Sequence, residues 1–185
     1  MNEAANTERM FFAIWPDQAV SELLETAGKK LHETCRGRIT RRETIHITLA
    51  FLGEVEVSRL NELLSMAGEV NATSFSLDLT KFGCWRHNRI AWVAPEVTPP
   101  ALTDLASDLS EKLKAVGFKL DSRPYVPHIT LFRKAECREA LPVIDAIQWN
   151  VSEFVLVKSV LSNAGSAYEV VGRWPLKAVA TDSAQ

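Results

Sequence analysis

The tetrapeptide His-Ile-Thr-Leu occurs twice, as His46-Ile47-Thr48-Leu49 and as His128-Ile129-Thr130-Leu131, once in each half of the chain. Each copy sits in an alternating run, Ile45 to Phe51 and Val126 to Phe132. Alternation at period two predicts a half-buried strand whose side chains point to opposite faces in turn. In the first run Ile45, Ile47, Leu49 and Phe51 are expected on one face, with His46, Thr48 and Ala50 on the other. In the second run Ile129 and Leu131 oppose His128 and Thr130. Each strand then offers one imidazole and one hydroxyl on the face its aliphatics leave free. Facing copies would surround one cleft with two imidazoles and two hydroxyls. Two imidazoles can serve as general acid and general base near neutral pH, and two hydroxyls can hold an anion.

A single such tetrapeptide is most simply a packed histidine. Packing alone does not ask for the same imidazole and hydroxyl twice. The other histidines fit no metal pattern: His32 falls on a predicted helix and His87 in the polar cluster Trp85-Arg86-His87-Asn88-Arg89. Zinc ligands normally come as short-spaced His and Cys sets, which are absent, so neither metal nor cofactor is expected. No nucleophile elbow, P-loop or G-x-G-x-x-G occurs. Guanidinium groups bind phosphate by paired hydrogen bonds. Arg41 and Arg42 precede the first motif and Arg123 the second, but Arg133 is the preferred candidate because it ends the second motif strand itself.

The formal charge of −2 means that any nucleic acid must be met by a local basic patch. Cys35, Cys84 and Cys137 are odd in number and lack a C-x-x-C spacing, so they are expected as reduced thiols in a cytoplasmic protein. No apolar run approaches about 18 residues and the N-terminus is polar, so neither a membrane span nor a signal peptide is expected.

Met10 to Trp15 reads as a strand, followed by a helix over 17–34 capped by Asp17, with Val20, Leu23, Leu24, Ala27 and Leu31 inward. Gly53 is expected to close the first motif strand and Ser58 to cap a second helix with Leu60, Leu63, Leu64 and Ala67 inward. Strands are predicted at Phe75 to Leu79 and Ile90 to Ala94, then a proline-rich crossover between lobes at 95–100. The second half repeats the plan. Leu102, Leu105, Ala106, Leu109 and Leu113 form a helix stopped by Gly117, a short strand falls near Phe118 to Leu120, and prolines hold 123–127 extended before His128. Strands at Phe154 to Leu161 and Tyr168 to Val171 are joined by a turn at Asn163-Ala164-Gly165-Ser166, and residues 178–185 are expected to fray.

The paired His-x-Thr motifs resemble those of the 2H phosphoesterases. The stretches MFFAIWPDQAV, HITLAFLGEV and RPYVPHITLFR look like those of the bacterial RNA 2′,3′-cyclic phosphodiesterases, also called 2′-5′ RNA ligases, and the resemblance runs from about Arg9 to Leu176. One departure is Arg42-Glu43-Thr44-Ile45, where family members often carry Pro-Glu-Asn-Leu. The resemblance implies an α+β fold in one bilobal domain across 1–185, ordered over about 9–176. Two pseudo-symmetric lobes, each with an antiparallel sheet and outer helices, would enclose a cleft with one motif on each wall. The implied reaction hydrolyses a terminal 2′,3′-cyclic phosphate of RNA to a 2′-phosphomonoester, with reversible 2′-5′ ligation that needs no ATP. His46 is the implied proton donor and His128 the implied proton acceptor. Thr48, Thr130 and Arg133 are the implied phosphate ligands. Partners are RNA ends or small cyclic-phosphate nucleotides, with no membrane and no obligate protein partner. Phe11, Trp15 and Trp85 are candidates for stacking a base, although a core role is the stronger reading. The alternatives are a phosphodiesterase acting on a small cyclic nucleotide and a non-catalytic module that binds RNA ends.

Overall fold

The computed structural model describes residues 6–138, 140–162 and 165–179. Ten strands and three α-helices follow in the order β1 (Thr7–Ile14), α1 (Gln18–Leu31), β2 (Cys35–Ile39), β3 (Ile47–Glu56), α2 (Leu60–Ala67), β4 (Phe75–Leu79), β5 (Lys81–Trp85), β6 (Ile90–Ala94), α3 (Pro100–Ala115), β7 (Ile129–Cys137), β8 (Ile147–Val151), β9 (Glu153–Ser162) and β10 (Gly165–Pro175). The main sheet runs β10-β9-β1-β3-β7-β6-β5, with β2 also on β7, and β4 pairs with β8 separately. The strand pairs of both sheets are antiparallel, so the expected α+β architecture is present.

The main sheet is two strand sets hinged on one residue pair. β3 and β7 meet only at Ile47 opposite Ile129. On one side lie β1, β3, β9 and β10, and on the other β2, β5, β6 and β7. The sets therefore interleave along the chain, and the first draws on both of its ends. Residues 95–99 carry the chain from β6 to α3, which packs on β3, so the proline-rich stretch does cross between the sets.

Local chemistry explains the helices. The Asp17 carboxylate accepts the Val20 N–H at 2.9 Å, which caps α1 as expected. Val20, Leu24, Ala27 and Leu31 of α1 are buried, whereas Leu23 is exposed. At the end of α3, Gly117 has φ +86, and the N–H groups of Phe118 and Gly117 donate to the carbonyls of Leu113 and Lys114. That is the Schellman arrangement, and it requires the left-handed backbone glycine allows. Ser58 does not cap α2: its hydroxyl donates to Glu56, and Arg59 occupies the N-cap without a side-chain bond. Residues 118–120 form no strand.

Two cysteines depart from expectation. Cys35 and Cys137 stand directly opposite on β2 and β7, with Cα atoms 4.0 Å apart, and form a disulfide, while Cys84 is free. Pairing across a sequence separation of 102 is set by strand register and leaves no trace in spacing. The expected turn after β9 has Asn163 and Ala164 outside the described residues, as is 180–185 of the expected frayed tail. Among the described residues no helix is long and apolar enough to cross a membrane.

Candidate active site

The single β3–β7 pair positions the site. Around Ile47 opposite Ile129, antiparallel register sets His46 across from Thr130 and Thr48 across from His128. Ile47 and Ile129 are fully buried, so the four polar side chains share the opposite face, with the two histidines on a diagonal. Both histidines sit one residue before their strands begin, not inside them as alternation predicts.

Each motif leucine is a bulge. Against β1, Thr48 pairs with Ala13 and Ala50 with Phe12, leaving Leu49 as the extra residue. Against β6, Thr130 pairs with Trp92 and Phe132 with Ala91, leaving Leu131 as the extra residue. A bulge reverses the alternation beyond it. Leu49 and Ala50 are therefore buried in succession, as are Leu131 and Phe132. The residue five after each histidine then returns to the histidine face. In the second copy this is Arg133, which joins His128 and Thr130. In the first copy it is Phe51, which is 47% exposed and lines the cleft, contrary to the buried face expected for it. The Arg9 guanidinium lies 4.9 Å from the Phe51 ring.

The two imidazoles are held alike. His46 Nδ1 lies 2.8 Å from the Thr44 carbonyl oxygen, and His128 Nδ1 lies 2.9 Å from that of Val126. A carbonyl only accepts, so Nδ1 carries the donated proton in both rings and Nε2 is left for the cleft. His46 stacks on Phe11 at 4.8 Å and Trp15 at 5.0 Å, with Tyr168 edge-on at 5.5 Å. Burial in this cage, aided by the charge of Arg133, lowers its pKa from 6.5 to about 4. His128 is half-buried against Trp85, whose ring is 4.5 Å away at 72°. Its pKa is also lowered, first by burial and then by Arg133. The charge of Arg133 thus reaches both rings, and each ring feels the same guanidinium.

A cleft of about 970 Å³ opens beside this face, lined among others by Thr48, Phe51, Trp85, Tyr125, Val126 and His128. Of the other arginine candidates, Arg42 pairs with Glu22 and Glu25, while Arg123 lines the cleft and pairs there with Asp121. His87 is exposed in the turn at 86–89 and His32 is exposed at the end of α1. Phe11, Trp15 and Trp85 pack on the imidazoles. Tyr168 completes the His46 cage and carries no sequence signal, because β10 reaches β1 only through β9. Among the described residues no group of three or more His, Cys, Asp or Glu is placed to hold a metal ion.

The family model for the 2′-5′ RNA ligase superfamily matches residues 16–163. A relative from Escherichia coli strain K12, an RNA 2′,3′-cyclic phosphodiesterase, is 31% identical over 91% of this chain and 97% of its own. The crystal structure of E. coli LigT in apo form superposes with a TM-score of 0.85 at 31% identity, covering 92% of this chain and 98% of that one. The same protein complexed with 3′-AMP gives a TM-score of 0.85 at 31% identity over 92% and 99% of the two chains.

Proposed function

The chain belongs to the 2′-5′ RNA ligase superfamily, and on that premise we propose that its cleft hydrolyses the terminal 2′,3′-cyclic phosphate of RNA to a 2′-phosphomonoester. The observation that carries this reading is the pair of imidazoles on one face, both with Nδ1–H tied to a carbonyl and Nε2 left free. In-line opening of a cyclic phosphate needs a base on one side of phosphorus and an acid on the other.

His128 Nε2 takes a proton from the attacking water as its oxygen bonds to phosphorus. The bond from phosphorus to O3′ breaks, and His46 Nε2–H delivers a proton to that leaving oxygen. One proton is taken up and one released, so the pair ends with its charges exchanged. The Thr48 and Thr130 hydroxyls donate to the non-bridging oxygens, and Arg133 offsets their charge as it grows in the transition state. With a ribose 5′-hydroxyl in place of water, the same proton traffic forms a 2′-5′ linkage without ATP: His128 takes the hydroxyl proton, and His46 protonates the departing O3′. The name of the E. coli relative and the 3′-AMP complex of E. coli LigT support a nucleotide end as substrate. The cleft lies at the upper end of the usual range of about 300–1,000 Å³ for ligand pockets, which favours a chain end over a bare phosphate.

Incubation with an oligoribonucleotide ending in a 2′,3′-cyclic phosphate tests the reading. The expected product carries its phosphate on the 2′-hydroxyl, and the rate survives prolonged EDTA treatment, since the donors are imidazole, hydroxyl and guanidinium. A 3′-phosphate product, or activity lost to EDTA and restored by a divalent cation, would sink the mechanism drawn here.

A further inference from the structure

β2 meets β7 through a third irregularity. The pairs run Cys35 with Cys137, Arg36 with Glu136, then Arg38 with Arg133, so β7 spends one more residue than β2 over this step. Lys134 takes left-handed backbone at φ 53 within it. Opposite, a Cβ on Gly37 would lie 2.9 Å from the Arg133 carbonyl oxygen and 3.1 Å from Ala135 Cα, so this approach is open to glycine alone. Without the extra residue, Arg38 would face Lys134 instead.

The result is a cross-strand pair of like charges. Residues directly opposite on antiparallel strands have Cβ atoms about 4.5–5.5 Å apart, and like charges so placed repel. Arg36 stands across from Glu136, whose carboxylate pairs with Arg89, whereas Arg38 stands across from another arginine. Both Arg38 and Arg133 are exposed, and neither makes an ion pair with a carboxylate among the described residues. Two neighbouring guanidinium groups beside the histidine face can take more negative charge than one cyclic phosphate supplies. Arg133 belongs to the motif strand itself and its charge reaches both rings, while Arg38 stands one strand further out on β2.

We propose that Arg38, set opposite Arg133 by the β2–β7 register, holds the phosphodiester that joins the terminal nucleoside to the rest of the RNA strand. This rests on the phosphodiesterase reading above and names its substrate as a chain end. A nucleoside 2′,3′-cyclic phosphate has nothing at that place, so Arg38 selects strands over mononucleotides.

The test compares Arg38→Gln with the unmodified protein on a nucleoside 2′,3′-cyclic phosphate and on an oligoribonucleotide with the same terminal nucleoside. The loss in kcat/KM on the oligonucleotide should exceed that on the mononucleotide by about tenfold, as expected for one charge-assisted phosphate contact, and should fall mainly on KM. Arg38→Lys should recover part of it. The salt dependence on the oligonucleotide should weaken by a slope of about 0.7, the value for one phosphate of a single strand. Equal losses on both substrates, or none on either, overturn the proposal. So does a lowered melting temperature with equal losses, because relief of the like-charge contact should hold or raise it. If the unmodified protein turns over neither substrate, the phosphodiesterase reading fails by itself. Anisotropy binding of an oligoribonucleotide ending in a 2′-phosphate then still decides the matter, since a Kd unaltered by Arg38→Gln overturns the assignment of Arg38.

Discussion

His128→Ala should lower kcat by about 10²–10⁴-fold on every leaving group, whereas the defect of His46→Ala should depend on which group departs. In the proposed mechanism His128 activates water whatever leaves phosphorus. His46 in that mechanism protonates the departing oxygen, and a stable anion needs little such help. A phosphodiester analogue that releases nitrophenolate separates the two roles, provided its dissociation constant matches that of the ribose substrate. His46→Ala should recover most of its loss on that analogue, and His128→Ala should recover none. Rescue of His128→Ala alone would reverse the roles. The hydrogen bonds do not decide them, because both rings present the same tautomer to the cleft.

Arg133→Gln carries the second large effect. The bulge at Leu131 turns this side chain onto the face of His128 and Thr130, where it can meet the charge that grows on the non-bridging oxygens. Removing one such donor typically costs about 10²–10³ in kcat. The same substitution has a second signature. The guanidinium lowers the pKa of both His46 and His128, so its loss raises both, and both limbs of the pH–rate profile should move toward alkaline pH. A drop in rate with the limbs unmoved would place the charge of Arg133 away from the imidazoles.

Local signals carried well. Asp17 and Gly117 mark helix ends through bonds to neighbours a few residues away, and β4 and β6 emerge from short alternating runs. The two motifs were legible because the same imidazole and hydroxyl recur. What stayed hidden depends on partners distant in the chain. β2, β5 and β8 are short strands defined by pairing with β7, β6 and β4, and the Cys35–Cys137 bond follows from the first of these. The bulges at Leu49 and Leu131 exist only relative to β1 and β6, so strict alternation sends Phe51 to the wrong face. The cage on His46 needs β1 and β10 brought together through β9, which explains why Tyr168 carries no signal in the sequence and why Phe11 and Trp15 acquire a meaning beyond core packing.

That cage makes the pH dependence of kcat/KM the most direct measurement of the two-imidazole claim, because kcat/KM reports the free protein. Above pH 6.5 both rings are neutral and no acid is available. Below about 4 both rings are protonated, so His128 is no longer a base. The singly protonated pair is thus most populated on the acid side of 6.5, and because burial lowers His46 further, the form that works, with the proton on His46 and not on His128, is the minor member of that pair. The account predicts a bell in kcat/KM with its maximum between about pH 4 and 6.5, the range spanned by the caged and unperturbed imidazole. The bell for kcat should lie at higher pH, because the bound phosphate anion favours imidazolium. A profile flat from pH 4 to 8, or one with its maximum above about pH 8 where neither imidazole holds a proton, would contradict it.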